Sequence, residues 1–294
     1  MSLAQNIVDS VRASFDFSVE KFPLTGPDNM RTEWYGLFRS DDMSPVGSGS
    51  VTSRYVPHTT DDVIALVEAA NEVFGGVGKV TCDFNHGHRL SIMPSNERRV
   101  SIFGEADNIF PRLVIDAGYD GSAFKATLGY YRDLCRNLHR LQTVQSTTTA
   151  IRHTHGLRDK MSQLIRQFSE LNSSWESLTR QIARMESEQV NMVTFMDSLY
   201  GKPSEAGRGL TLHQSRSEAI FRRLLDERNR SGRGRVENLM VSKWEALNAI
   251  QGYMQHDASR RGTNRTATPF ARAMLSMDSA IVARAEELLL TTAV

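Results

Sequence analysis

The sequence predicts an α+β protein in which a small twisted antiparallel sheet with helices is followed by a long-helix antiparallel helical region. Three observations carry this. Short β-like runs separated by turn residues fill the stretch from Val46 to Gly129, helical periodicity takes over beyond it, and 294 residues, 40% of them hydrophobic, suffice to bury a core without disulfide or metal staples. The expected organisation is an N-terminal extension over 1–45, an α+β core domain over 46–155 and a helical domain over 156–294.

Residues 1–45 are weakly patterned. A short helix is predicted near Ala4–Phe15, followed by a loop, because Pro23, Gly26, Pro27, Asp28 and Pro45 interrupt any long element. Val51–Val56 is β-like. Thr60–Phe74 is helical, with Thr59 or Thr60 as its cap and Asp61 and Asp62 complementing the dipole of its first turn. Val80–Phe84, Leu90–Met93, Val100–Phe103, Arg112–Asp116 and Phe124–Leu128 complete the strand set. Asn85–His88 and Asp120–Ser122 lie between apolar runs and are expected to form hairpin turns.

Beyond Gly129 the spacing predicts a helix with Tyr131, Leu134, Leu138 and Leu141 on one face and Arg132, Arg136 and Arg140 on the other. From Leu157 apolar residues then recur at alternating steps of four and three through Met161, Phe168, Trp175, Ile182 and Met196 to Leu199, with Gln189 as the polar exception. This heptad predicts a coiled-coil-like helix over 157–199, which at about 1.5 Å per residue would be roughly 64 Å long. Such a helix needs a helical partner. Ser215–Arg228, Val236–Gln255 and Phe270–Leu290 are expected to supply one within the chain; a coiled coil between subunits, with Gln189 setting register, is the alternative. The linkers at 228–235 and 258–268 place Arg among Gly, Ser, Thr and Asn without acidic residues, a composition suited to following a phosphate backbone.

Composition excludes several classes. A charged fraction of 23% is ordinary globular usage rather than that of a disordered chain. No run approaches the roughly 18 apolar residues of a membrane span, and no basic segment followed by an apolar one opens the chain, so a cytoplasmic protein is expected. Cys82 and Cys135 fit a reducing compartment. The net charge of +1 conceals an asymmetry: residues 1–124 carry 10 basic and 17 acidic side chains, whereas residues 125–294 carry 25 basic and 17 acidic. Asymmetry of this kind points toward a nucleic-acid or other anionic partner.

Catalytic and cofactor signatures are not evident. Gly75-Gly76-Val77-Gly78-Lys79 invites a phosphate-loop reading. It fails because Val73 stands where the first glycine is required and Val80 where Ser or Thr must hold magnesium; a helix-to-strand turn explains it better. His86 with His88, and His153 with His155, lack further ligands at metal-site spacing. No nucleophile elbow or paired-carboxylate pattern is present. The expectation is therefore a protein without catalytic residues, metal or cofactor.

A basic span stands out instead. Lys125, Arg132, Arg136, Arg140, Arg152, Arg158 and Lys160, with His153, lie near Tyr130 and Tyr131. Cations beside aromatic rings are the components of a single-strand groove, where phosphates are neutralised and bases stack. These ten residues are the candidate nucleic-acid contacts. A solvated basic face is the competing account.

Tyr119-Asp120-Gly121-Ser122, then Arg132-Asp133-Leu134-Cys135-Arg136-Asn137, then Ile151-Arg152-His153-Thr154, and finally Trp244-Glu245-Ala246-Leu247-Asn248-Ala249 with Tyr253 and His256 resemble the ordered motifs of a phage- and plasmid-borne family of unknown function. The resemblance runs from about Val46 to His256. It implies a mobile-element protein in a bacterial cytoplasm. More distantly, the order of sheet, helix and basic segment is similar to the core of phage single-strand annealing proteins, which implies a homo-oligomer binding single-stranded DNA in recombination. In the same reading Trp244, Asn248 and His256 form a polar lock between helices, and Cys135 packs. The alternative is a non-catalytic phage protein that engages a host defence or replication protein. An enzyme assembled from Asp120, Asn137, His153 and His155 ranks lowest.

Overall fold

A computed structural model describes residues 5–47, 49–84, 87–95, 99–119, 123–141, 148–154, 157–202, 208–258, 268–277 and 279–291. The chain forms two compact units. The first comprises 1–97, 111–128 and 146–174; the second comprises 98–110, 129–145 and 175–294. The α+β class is as expected, with antiparallel sheets and several helices.

In the first unit, helix α1 (Gln5–Ser14) buries Ile7 and Val11. The loop expected after it is instead a hairpin: β1 (Val19–Thr25) and β2 (Arg31–Arg39) pair antiparallel, and β3 (Val51–Thr52) adds to β2. The breakers that suggested a loop punctuate this hairpin rather than prevent it. Pro23 sits on the edge strand β1, where a missing N–H is tolerated, and Asp28 and Asn29 turn the chain at φ of 56° and 59°. One face of the sheet packs inward, where Leu37, Val46, Val51, Tyr55 and Tyr119 form a cluster joined by Val19 and Tyr35.

Helix α2 (Thr60–Val73) starts where its capping residues predict. The Thr59 side chain accepts from the Asp62 N–H while the Asp62 carboxylate accepts from the Thr59 N–H. Val63, Leu66, Val67 and Ala70 are buried. After it, Gly75 and Gly76 adopt φ of 69° and 135°, and Asn71 accepts from the Gly76 and Val77 N–H groups. The glycine-rich stretch is thus a helix-to-strand turn, as read from the sequence. It leads into β4 (Val77–Phe84) and β5 (Gly87–Pro94), which pair antiparallel through Phe84 and His88. With β7 (Asp107–Gly118), β8 (Phe124–Arg132) and β10 (Thr148–Ile151) these strands give the order β10-β8-β7-β5-β4. The expected turn at 120–122 lies outside the described residues.

The second unit departs from the helical expectation. Strand β6 (Val100–Phe103) lies where the sequence places it and pairs with β7 near Ile109, but β8 is followed by a turn and β9 (Asn137–His139) rather than by the expected helix. Tyr130 pairs with His139 and Arg132 with Asn137, across a turn in which Arg136 takes φ of 56°. The four-residue recurrence of Arg132 and Arg136 therefore spans a hairpin turn. Helical and hairpin spacings coincide over so short a stretch, and the aromatic pair Tyr130-Tyr131 belongs to the strand.

The single long helix over 157–199 is likewise corrected. Helix α3 (Leu157–Ser187) ends before the polar seam position; β11 (Gln189–Asn191) follows, then α4 (Met192–Tyr200). Gln189 is exposed and pairs with Ser242 of β12 (Met240–Ser242), and Asn191 caps α4 by accepting from the Val193 and Thr194 N–H groups. The apolar seam is nonetheless real, because Phe168, Trp175, Leu178, Ile182 and Met185 are all buried. Helix α5 (Arg208–Ser231) precedes β12, and α6 (Lys243–Gly252) starts later than Val236 because Met240–Ser242 are held in the strand pair. A Ser242/Glu245 capping box fixes its first turn, and a π-helical turn (Tyr253–Asp257) extends it. The expected helix over 270–290 divides into α7 (Pro269–Met277) and α8 (Ala280–Thr291).

Candidate functional site

In the first unit an open cleft of about 320 Å³ is lined by Trp34, Thr52, Tyr55, Arg152, His153 and Thr154, among others. Strand register builds it: Trp34 pairs with Thr52 across β2 and β3, while Arg152, His153 and Thr154 follow directly on β10. Trp34 is 50% exposed although it is a large aromatic in a strand, and Arg152 is also exposed. Behind them the wall is built of stacked rings. The Tyr55 ring stacks on His153 with centroids 5.0 Å apart, His58 stacks on Tyr119 at 4.3 Å, and Phe124 meets His58 edge-on. Tyr55 donates to the Gly118 carbonyl at 3.3 Å and Tyr119 to the His58 carbonyl at 2.9 Å, so both phenols are committed to the scaffold. A half-exposed indole in the same cleft as a guanidinium and threonine side chains can stack a planar ring and hold an attached anion.

In the second unit the motif residues form a different structure. Arg132 is fully buried, donating from Nε and Nη2 to the two Asp107 oxygens at 2.7 and 2.8 Å and from Nη1 to Glu227 at 2.6 Å. Arg233 also binds Asp107, at 3.2 Å, and pairs with Glu186, while Arg228 donates to both Glu245 oxygens at 2.6 and 2.7 Å. The Arg/Gly stretch 228–235 is thus drawn onto internal carboxylates at Arg228 and Arg233. Arg230 donates to Asp226 and to the Leu134 carbonyl. Arg228 and Arg233 are thereby withdrawn from solvent, whereas Arg230 stays 46% exposed.

Around this network, the Tyr130 hydroxyl donates to Gln251 at 2.9 Å, Gln255 bonds both backbone groups of Leu138, and His256 meets the Asn137 side chain at 3.0 Å. Trp244 is buried with the Arg132 guanidinium 5.7 Å from its ring. Asn248 donates to the Trp244 carbonyl. The polar lock between helices anticipated for Trp244, Asn248 and His256 is thus corrected: Asn248 bonds within α6, and His256 ties the end of that helix to strand β9. Burial pushes the Cys135 thiol up to about 12 despite the Arg132 charge, and burial likewise pushes Cys82 up to about 11; both thiols are free. Among the described residues no group of His, Cys, Asp or Glu could hold a metal ion.

The ten sequence-predicted contacts consequently separate. Tyr130 and Arg132 are interior residues, which removes them as stacking platform and phosphate ligand: their polar atoms are spent on Gln251, Asp107 and Glu227. Arg136 is exposed on the hairpin turn, and Lys125, Tyr131 and Arg140 are half-buried. Arg152 and His153 come together in the cleft, Arg152 at its surface and His153 in its wall. The side chains of Arg158 and Lys160 lie outside the described residues. Trp34 was not anticipated. Its signal was available in the alternation of Trp34, Gly36 and Phe38 against Tyr35 and Leu37, obscured by the prolines on either side.

Hairpin, sheet and helices define an α+β protein, and the open cleft of its first unit is aromatic and basic. Residues 48–275 match the family described as Domain of unknown function (DUF932), and as this is most of the chain, the protein belongs to that family. The matched span contains Thr52, Tyr55 and residues 152–154, whereas Trp34 precedes it. No curated protein and no solved structure matches the chain.

Proposed function

We propose that this protein binds single-stranded nucleic acid, with an unpaired base stacked on Trp34 and the adjoining phosphate met by Arg152. The observation that carries the reading is the half-exposed Trp34 indole in the same open cleft as Arg152. A cleft of about 320 Å³ is at the small end of ligand sites, suited to one nucleotide rather than a duplex. Stacking on an aromatic face is sequence-tolerant and requires the base to be unpaired, which favours single strands. The acidic balance of residues 1–124 gives stacking the larger share of the affinity and charge the smaller. The wider setting belongs to the same proposal: a mobile-element protein of phage or plasmid origin in the bacterial cytoplasm, acting on single-stranded DNA in recombination or annealing as a homo-oligomer.

The test uses the protein's own fluorescence. Of its three tryptophans, Trp175 and Trp244 are buried and Trp34 is half-exposed, so quenching by an added oligonucleotide reports on Trp34. Single-stranded DNA should quench and duplex should not, and Trp34→Ala and Arg152→Ala should each weaken binding measured by anisotropy. Absence of any binding at low salt would sink the proposal. Light scattering with and without DNA tests the oligomer, which a monomer mass in both conditions excludes.

A further inference from the structure

The face of the β1–β2–β3 sheet that carries Trp34 also carries Phe22, and we propose that it holds a second stacking position, so that the site takes two consecutive bases of a single strand. This rests on the nucleotide reading of Trp34. Phe22 pairs with Gly36, two residues along β2 from Trp34, and residues two apart on a strand share a face. Diagonal neighbours of this kind lie about 7–8 Å apart, within reach of adjacent aromatic side chains. Phe22 is 37% exposed, and its ring meets that of Phe38 edge-on with centroids 5.8 Å apart. Phe38 in turn covers the backbone of Gly36, where an added Cβ would come within 2.7 Å of its ring. Trp34, Phe38 and Phe22 therefore make an aromatic floor that needs no side chain at Gly36.

This floor is not needed for the core. The opposite face supplies it, through Leu37 with Val51, Tyr55 and Tyr119 and with Tyr35 packed alongside. An added peptide strand is a poor occupant, because Pro23 and the irregular register between Pro23 and Thr25 interrupt edge strand β1. Continuity with the Trp34 cleft favours a nucleic-acid strand leaving it. Glu20, which pairs with Phe38, puts a carboxylate at the far end and opposes a further phosphate there. The floor thus extends the site by one nucleotide.

Thymidine monophosphate and oligothymidylates of two to four residues, titrated by Trp34 quenching, test this on the full chain. Wild type should gain roughly 5- to 150-fold in affinity on going from one base to two, the range that stacking one base supports. Phe22→Leu keeps apolar bulk but no ring. It should bind the mononucleotide as wild type does and lose that step, whereas Phe22→Tyr should keep it. An unchanged step in Phe22→Leu overturns the second position while leaving the Trp34 reading intact; no quenching at any length overturns the Trp34 reading itself. A wild-type oligomer that Phe22→Leu dissociates, with the step preserved, assigns the face to a second copy of the chain and also overturns the inference.

Discussion

Arg132 clasps Asp107 in a two-pronged pair, Nε to Oδ1 at 2.7 Å and Nη2 to Oδ2 at 2.8 Å, at side-chain exposures of 1% and 0%. Its third donor reaches Glu227 at 2.6 Å. Such a cluster persists because each charge answers another, and removing Arg132 strips Glu227 of its 2.6 Å partner and leaves Asp107 with Arg233 alone at 3.2 Å. Arg132→Met should therefore cost about 3–5 kcal/mol of unfolding free energy. Arg132→Lys should recover little of it, since a point charge cannot form the fork. Chemical denaturation measures both. A loss below about 1 kcal/mol for Arg132→Met would return Arg132 to the solvent-facing role that its spacing suggested.

The hairpin carrying Arg132 shows where sequence reading succeeds and where it stops. Strand positions between Val77 and Leu128, the Thr59 cap and the glycine turn at 75–76 were legible because local chemistry dictates them. Arg132, Arg136 and Arg140 were not: a four-residue recurrence is shared by a helix face and by a tight hairpin, and only the non-local partners Asp107 and Glu227 reveal the difference. Gln189 is intermediate. Its polarity within an apolar seam was visible, but that it marks a helix end depends on pairing with Ser242, more than fifty residues away. In the candidate cleft Arg152 and His153 were legible; Trp34 was hidden because a hairpin with an edge proline reads locally as a loop.

Gly76 gives a local test of that turn. Its φ of 135° belongs to glycine, and an added Cβ would sit 2.1 Å from Ser95 Oγ and 3.2 Å from Ser95 Cβ. Gly76→Ala should lose about 1–3 kcal/mol from backbone strain, with the steric overlap in addition. Adding Ser95→Gly should restore the steric part alone, as read by thermal melting of the single and double variants. A Gly76→Ala protein as stable as wild type would contradict the turn.

His139 makes stability depend on pH. Burial is the main cause that holds its imidazole down to about 3, with the nearby His256 adding to the effect; His256 is itself lowered, by burial first and then by Arg223. The unfolded chain takes up these protons near pH 6.5 while the folded chain resists them. Stability is therefore fully present above pH 6.5 and falls as pH drops toward 3, by up to about 1.4 kcal/mol per pH unit for His139. Urea midpoints at pH 7, 6 and 5 should fall in that order, and His139→Gln should flatten the trend. Equal slopes in wild type and variant would remove His139 as the cause.

Salt distinguishes a stacking site from an arginine track. For single strands the logarithm of affinity falls with the logarithm of salt at about −0.7 per phosphate neutralised. With Arg132 withdrawn into the interior and Arg152 at the cleft, one or two phosphates should be met, giving a slope between about −0.7 and −1.4 and a loss of roughly three- to sevenfold from 50 to 200 mM salt. A track using Arg132, Arg136, Arg140, Arg152 and Arg158 together would instead lose over roughly a hundredfold across the same range. Trp34→Ala should lower affinity at every salt concentration without changing the slope, whereas Arg152→Ala should reduce the slope by about 0.7. Fluorescence anisotropy across a salt series reads all three. A wild-type slope near −3.5 would move the site away from the Trp34 cleft and toward several cations acting together.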